Sequence, residues 1–322
     1  MIENIAQSGG PASVEAVLQD ELAHGDAMIG TIAPILRHLL ANDEHSVFGD
    51  EIIAAMRGMM ADVATQLLDA LNQAAGEPDR REHDPQRIAV MVEHFATHSG
   101  FLAHVHALAL EWQLTSRMQT RLALDPVLSP LLQALIASNE PNVAASAMAL
   151  LAAQARFVQN QRRMQLPLSE LPGDLLHAGL IALRGATGED AELQNHVGTV
   201  DQKIRAEFDE SRSRLGLISR LVTGMGGGAT VALSVTHAGV AIFLSALAIA
   251  SGQDRDMATL ATNESQVARL ALALRASGLR PEAIEEQFGS LHPEVTLPAQ
   301  FEQLGSDHAA ALLARSAVYP GS

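Results

Sequence analysis

Between residues 221 and 253 the chain carries no Asp, Glu, Lys or Arg. The stretch opens on a glycine cluster, Gly224-Met225-Gly226-Gly227-Gly228. From Ala229 to Ser251 it continues as an apolar segment interrupted only by Ser, Thr, Gly and His237. Such a segment has to be hidden from water, in a protein core or in a bilayer. About 20 apolar residues suffice to cross a membrane, so length alone does not decide. Thr230, Ser234, Thr236, His237, Gly239 and Ser245 lower its hydrophobicity. A helix buried on all sides within a protein is also apolar all round. The expectation is therefore one core helix over residues 229–251, with His237 buried and hydrogen-bonded. A single membrane span is the alternative.

The rest of the chain must supply the packing around that helix. Apolar residues make up 48% of the sequence and aromatics 3%, so the core is aliphatic and rich in alanine, which suits close helix packing. Nearly every window has a helical period. Asp50 can cap a helix whose stripe is Ile53, Met56, Met60, Val63, Leu67 and Leu71. Residues 76–86 are charged and hold two prolines, which reads as a loop, and Pro85 suits the first turn of the next helix. Gly100 should break that helix, and Asp125-Pro126 should start another. Residues 191–222 read as charged and helical throughout. No window alternates with β-branched residues, so a substantial sheet is not expected.

The fold class is all-α: a multi-helix bundle or short HEAT-like α-solenoid, with a C-terminal bundle around the one apolar helix. Residues 1–76 read as an N-terminal helical hairpin, 77–187 as a central helical layer and 188–322 as the C-terminal bundle. One internal similarity supports a repeat. Residues 139–152 and 263–276 share the frame N-E-x-x-V-A-x-x-A-x-A-L-x-A. Small residues at fixed spacing suit a helix-turn-helix unit that stacks on its neighbours. Chance alignment of two Ala/Leu-rich helices explains the match equally well.

Leu244-Ser245-Ala246-Leu247-Ala248, Ser251-Gly252-Gln253-Asp254-Arg255 and Ala271-Leu272-Ala273-Leu274-Arg275-Ala276-Ser277-Gly278-Leu279 give the C-terminal third its character. Through these residues it resembles a group of uncharacterised alphaproteobacterial all-helical, HEAT-like proteins. The resemblance covers residues 214–288. It implies that the apolar segment leads directly into a helical subdomain, and it brings no catalytic residues.

Several function classes fall away on composition. There is no cysteine, which removes thiolate nucleophiles and cysteine-ligated metals. A net charge of −16 opposes general nucleic-acid binding and anionic membrane surfaces. Met1 to Gly10 is polar, without a basic start and an apolar run, so a cytoplasmic address is expected. The densest polar cluster in an apolar context is Glu93, His94, His98, His104, His106 and Glu111. His94 and His98, four apart, would share a helix face and with a carboxylate could bind a transition metal. Glu93 precedes the pair, so H-E-x-x-H is not formed, and surface or capped histidines are the competing reading. Gly224 to Ala229 spells G-x-G-x-x-A, but no strand precedes it and the next acid is Asp254. A helix-helix turn fits better. Arg162-Arg163 and Arg212, Arg214 and Arg220 read as solvated helix faces.

No catalytic, cofactor or metal residue is assigned. The reading is a non-catalytic interaction or regulatory scaffold. A single-span membrane protein and a metal-dependent enzyme using the His94/His98 region are its alternatives. Met56, Met59 and Met60 lie side by side, wider than one packing stripe. They suit either the protein's own core or a homodimer or partner helix.

Overall fold

The apolar stripe at Met56, Met60, Val63, Leu67 and Leu71 nucleates one end of the protein. All five side chains are buried, and so are Met59 and Ala64 beside them. The computed structural model of the chain describes residues 13–41, 50–77, 83–188 and 190–316. The polar residues 1–10 lie outside these, as do 78–82 of the expected loop. The described chain is all-α: about 80% of it is helical, and it contains no strand.

In chain order the helices are α1 (Val14–Ala41), α2 (Asp50–Ala74), α3 (Pro85–Thr97), α4 (Ser99–Leu122) and α5 (Pro130–Ile136). Then come α6 (Pro141–Arg162), α7 (Gly173–Ala186), α8 (Ala191–Glu207), α9 (Arg214–Gly224) and α10 (Val235–Ala238). The last five are α11 (Val240–Ser251), α12 (Arg255–Leu260), α13 (Val267–Ala276), α14 (Pro281–Leu291) and α15 (Ser306–Ala314).

Local chemistry sets the boundaries. Asp84 Oδ1 accepts from the Gln86 N–H at 2.9 Å, and Pro85 occupies the first turn of α3. The break after α3 falls at His98, not Gly100. His98 is extended, and its Nδ1 accepts from the Phe101 N–H at 3.1 Å, capping α4. Asp125-Pro126 does not start a helix. Asp125 Oδ1 instead accepts from the N–H groups of Val127 and Leu128 at 2.8 and 2.9 Å, an Asx turn. The helix begins five residues after Asp125, where Ser129 caps α5 through the Leu132 N–H. Residues 191–222 are two helices rather than one, divided by a 3₁₀ turn at Glu210–Arg212 and by the Ser213 cap of α9.

Two hydrophobic cores result. One gathers α2, α3, α7 and α8 with the first half of α4 and the last turns of α6. The other gathers α5 and α9 to α15 with the second half of α4 and the first half of α6. α1 also touches both, through Leu18 and Leu22 in one and Leu36 in the other. Met56, Met59 and Met60 are fully enclosed by the first core, so the width of their face serves packing against several helices and not a partner.

The uncharged segment departs from expectation. It is not one helix over residues 229–251. A 3₁₀ stretch, Gly226–Leu233, leads to the single turn of α10, and Gly239 then separates α10 from α11. Gly239 has φ +74°, and a Cβ there would meet Ser129 Cβ at 3.0 Å. That left-handed corner needs glycine and lets α10 dock on α5. From Val240 to Ala248 every side chain of α11 is buried, so this part is the expected central core helix. No described helix is long and apolar enough to cross a membrane. His237 is exposed, against the expectation of burial, because the break turns α10 so that only Val235 and Ala238 face inward.

The two copies of the repeated frame both open helices, α6 and α13, but in unlike surroundings. α13 is buried from Ala268 to Leu274, whereas α6 is largely exposed over residues 139–149.

Gly239→Ala should lower the unfolding free energy by about 1–3 kcal/mol, the cost of a side chain held at positive φ against a close neighbour. Gly227→Ala, where a Cβ meets nothing within 4 Å, should stay within about 0.5 kcal/mol. Urea titrations of both variants check this, and equal effects would contradict the Gly239 corner.

Candidate functional site

Where the two cores meet, α4 carries a glutamate with no exposed surface, Glu111. Its neighbours along α4 belong to different cores, Leu108 and Ala109 to one and Leu114 to the other. An isolated carboxylate so placed would cost several kcal/mol. Two arginines meet it. Arg214, from the first turn of α9, is 2% exposed and grips both oxygens, Nη1 to Oε1 at 2.6 Å and Nη2 to Oε2 at 3.0 Å. Arg255, from the first turn of α12, adds Nη2 to Oε2 at 2.9 Å.

Each arginine is itself held. The Arg214 guanidinium carbon sits 3.6 Å from the centroid of the Phe157 ring, and Gln154 Oε1 accepts from Nη1 at 3.4 Å. Gln154 is fixed in turn by donating to the Pro126 carbonyl at 3.0 Å. The Arg255 Nε donates to Ser245 Oγ at 2.9 Å, which brings α11 into the network. Glu170 closes the outer side by accepting from the Arg214 backbone N–H at 2.8 Å. Burial alone would push the Glu111 carboxyl up. The charges and hydrogen bonds of Arg214 and Arg255 outweigh it and hold the pKa at about 2. The group is an ion triad from α4, α9 and α12, anchored on α6 and α11.

The histidines around it are not brought together. Glu93 and His94 are exposed on α3, and His98 is spent as a cap, so His94 and His98 do not share a helix face. His104 and His106 are both interior because α4 is enclosed on nearly every side there. His104 Nδ1 lies 3.4 Å from Asp256 Oδ2, beside Arg255. Burial lowers the His106 pKa to about 4 against a weaker pull from Asp256, so this ring is neutral at pH 7. Among the described residues no group of three or more His, Asp or Glu side chains could hold a metal ion. The glycine cluster lies exposed after α9, with no strand before it.

Of the basic patches, Arg162, Arg163, Arg212 and Arg220 are exposed as expected, but Arg214 is not a solvated residue at all. Arg255 and Gln154 gave no signal as site residues in the sequence, and Ser245 stood out only as a polar interruption of the apolar segment. Each is one polar residue at the start or inside of an apolar helix, and its partner lies on another element. Compared with protein families, curated proteins and solved structures, the chain matches none.

A closed triad can position helices but cannot meet a substrate. Truncating one partner leaves the others buried and charged, so Glu111→Ala should cost about 3–5 kcal/mol in denaturant unfolding, against less than about 0.5 kcal/mol for Glu93→Ala. A smaller loss at Glu111 than at Glu93 would contradict the assignment.

Acid should weaken the fold in two steps. His106 is depressed from 6.5 to about 4, so its contribution is complete above pH 6.5 and lost as the pH falls toward 4, where the unfolded chain takes the proton first. Glu111 is depressed from 4.5 to about 2, so its contribution is complete above 4.5 and lost as the pH falls through 2. Unfolding free energies at a series of pH values should show both, and His106→Gln should remove only the first.

Proposed function

We propose that the chain is a non-catalytic helical scaffold of the cytoplasm that works as a homodimer through the outer face of α1. The exposed apolar line on that helix supports the reading. α1 is long, 28 residues, and docks by one edge only. Asp26 on its inner side pairs with the buried Arg269 of α13, and Gln266 Nε2 donates to the Gly25 carbonyl at 2.8 Å. On the opposite side Val17, Met28 and Ile35 are exposed. Steps of 11 and 7 residues are close to whole turns, so the three side chains form one line about 27 Å long.

The occupant of that line is a second α1, antiparallel to the first. Such a pair sets Val17 of one copy against Ile35 of the other, with Met28 near the two-fold axis. A two-fold pairing needs one self-complementary patch and no other partner. The absence of cysteine suits a reducing compartment.

Light scattering on the full chain tests this. The wild type should be dimeric at tens of micromolar, roughly where weak interfaces populate. The double variant Val17→Glu/Ile35→Glu should be monomeric with an unchanged helical spectrum. A monomeric wild type, or a dimer that survives the double variant, would overturn the reading.

A further inference from the structure

A second face of α4 opens on a cleft against the corner between α12 and α13. Leu110, Leu114, Arg117, Thr262, Asn263 and Glu264 line it. Asn263 and Glu264 are the N-E of the second copy of the repeated frame. The chemistry of this wall is uneven. Arg117 has its Nε–H buried without a hydrogen-bond partner. The next arginine one turn on, Arg121, is committed elsewhere, donating from Nη2 to the Ser290 carbonyl at 2.7 Å at the end of α14. Glu264 is near enough to attract Arg117 but forms no pair with it within 4 Å. Behind the wall His292 is 4% exposed, packed on Phe288, and its Nε2 is also buried without a partner. Burial and the Arg117 charge lower the pKa of that ring, which also holds a hydrogen bond to the Thr262 backbone.

An arginine stays charged under all physiological conditions, and a guanidinium taken partly out of water without a partner is costly. Among the described residues Arg117 is the one guanidinium that lines the cleft, and it faces a carboxylate, Glu264, that forms no pair with it. The remaining lining is of two kinds. Leu110 and Leu114 offer an apolar floor, and Gln113, Thr259 and Thr262 a polar rim. We propose that this cleft binds a small organic anion, with a carboxylate or phosphoryl head on Arg117 and an apolar body on Leu110 and Leu114. A charged head on a planar fork with an apolar floor beside it is the arrangement that holds such ligands in few, well-placed contacts. The site is independent of the α1 face, and neither reading depends on the other.

Isothermal titration of the full chain with two probes, inorganic phosphate and butyrate, tests the proposal and separates the two head groups. Saturable binding of phosphate alone assigns a phosphoryl head, and binding of butyrate assigns a carboxylate with its body on the leucines. In either case Arg117→Gln should weaken the binding at least about tenfold, as expected when a charge-assisted contact is lost. Glu264→Gln should strengthen it several-fold, because it removes the opposing charge. Failure of both probes to bind up to roughly 50 mM, weaker than any contact worth the name, overturns the proposal. So does binding that Arg117→Gln leaves unchanged. Should that variant not fold, Glu264→Gln decides alone: unchanged or weaker binding overturns the site.

Discussion

The rest of the structure depends on keeping a charge dry. Glu111 has no access to water, and two arginines from distant parts of the chain surround it. Because a broken pair of this kind costs far more than an intact one contributes, the triad works as a registration device more than as a source of stability. Both Glu111 oxygens are paired only when α4, α9 and α12 stand in this arrangement. The Phe157 ring, Gln154 and Ser245 then fix α6 and α11 relative to that frame. The triad sits at the seam between the two cores, where apolar contact alone would allow the halves to slide. A second buried pair, Arg269 with Asp26, does the same for α1 against α13.

The glycine corner at Gly239 and the triad solve related problems. A continuous helix through residues 229–251 would present a long apolar cylinder with no fixed depth. Breaking it at Gly239 shortens the enclosed part to α11 and sets α10 against α5 and α14. α11 can then be covered from every side by α9, α12 and α13, and Ser245 is left at the one place where its hydroxyl reaches Arg255.

The outer line of α1 and the Arg117 cleft lie on different helices, and the occupants proposed for them differ, an apolar helix in one case and a small anion in the other. A scaffold that pairs through α1 while a ligand rests beside α12 and α13 would place both events on helices that the Asp26–Arg269 pair connects. α13 contributes Arg269 to that pair and follows directly from Glu264 in the cleft.

The sequence by itself determined the class of fold. Helical period is local: it says which residues of a segment share a face, so the stripe of α2, the Pro85 start of α3 and the absence of strands among the described residues were all legible. It also singled out Glu111 and Arg214, though as unrelated members of a histidine cluster and a basic patch. Their meeting was not legible, because hydrogen bonds across about a hundred residues depend on the path of the chain, and a charged residue at a helix start looks the same whether it faces water or a carboxylate. For the same reason Arg117 and His292 drew no notice. Composition likewise suggested that residues 229–251 would be hidden, which holds for Val240 to Ala248 but not for the exposed Val231 and Ile249, and it did not show where the segment bends. That was decided by Ser129 packing against Gly239, a contact between elements more than a hundred residues apart. What the tertiary structure alone decided is which polar groups find partners and which are left facing a cleft, since pairing is a property of positions in space and periodicity is a property of neighbours in the chain.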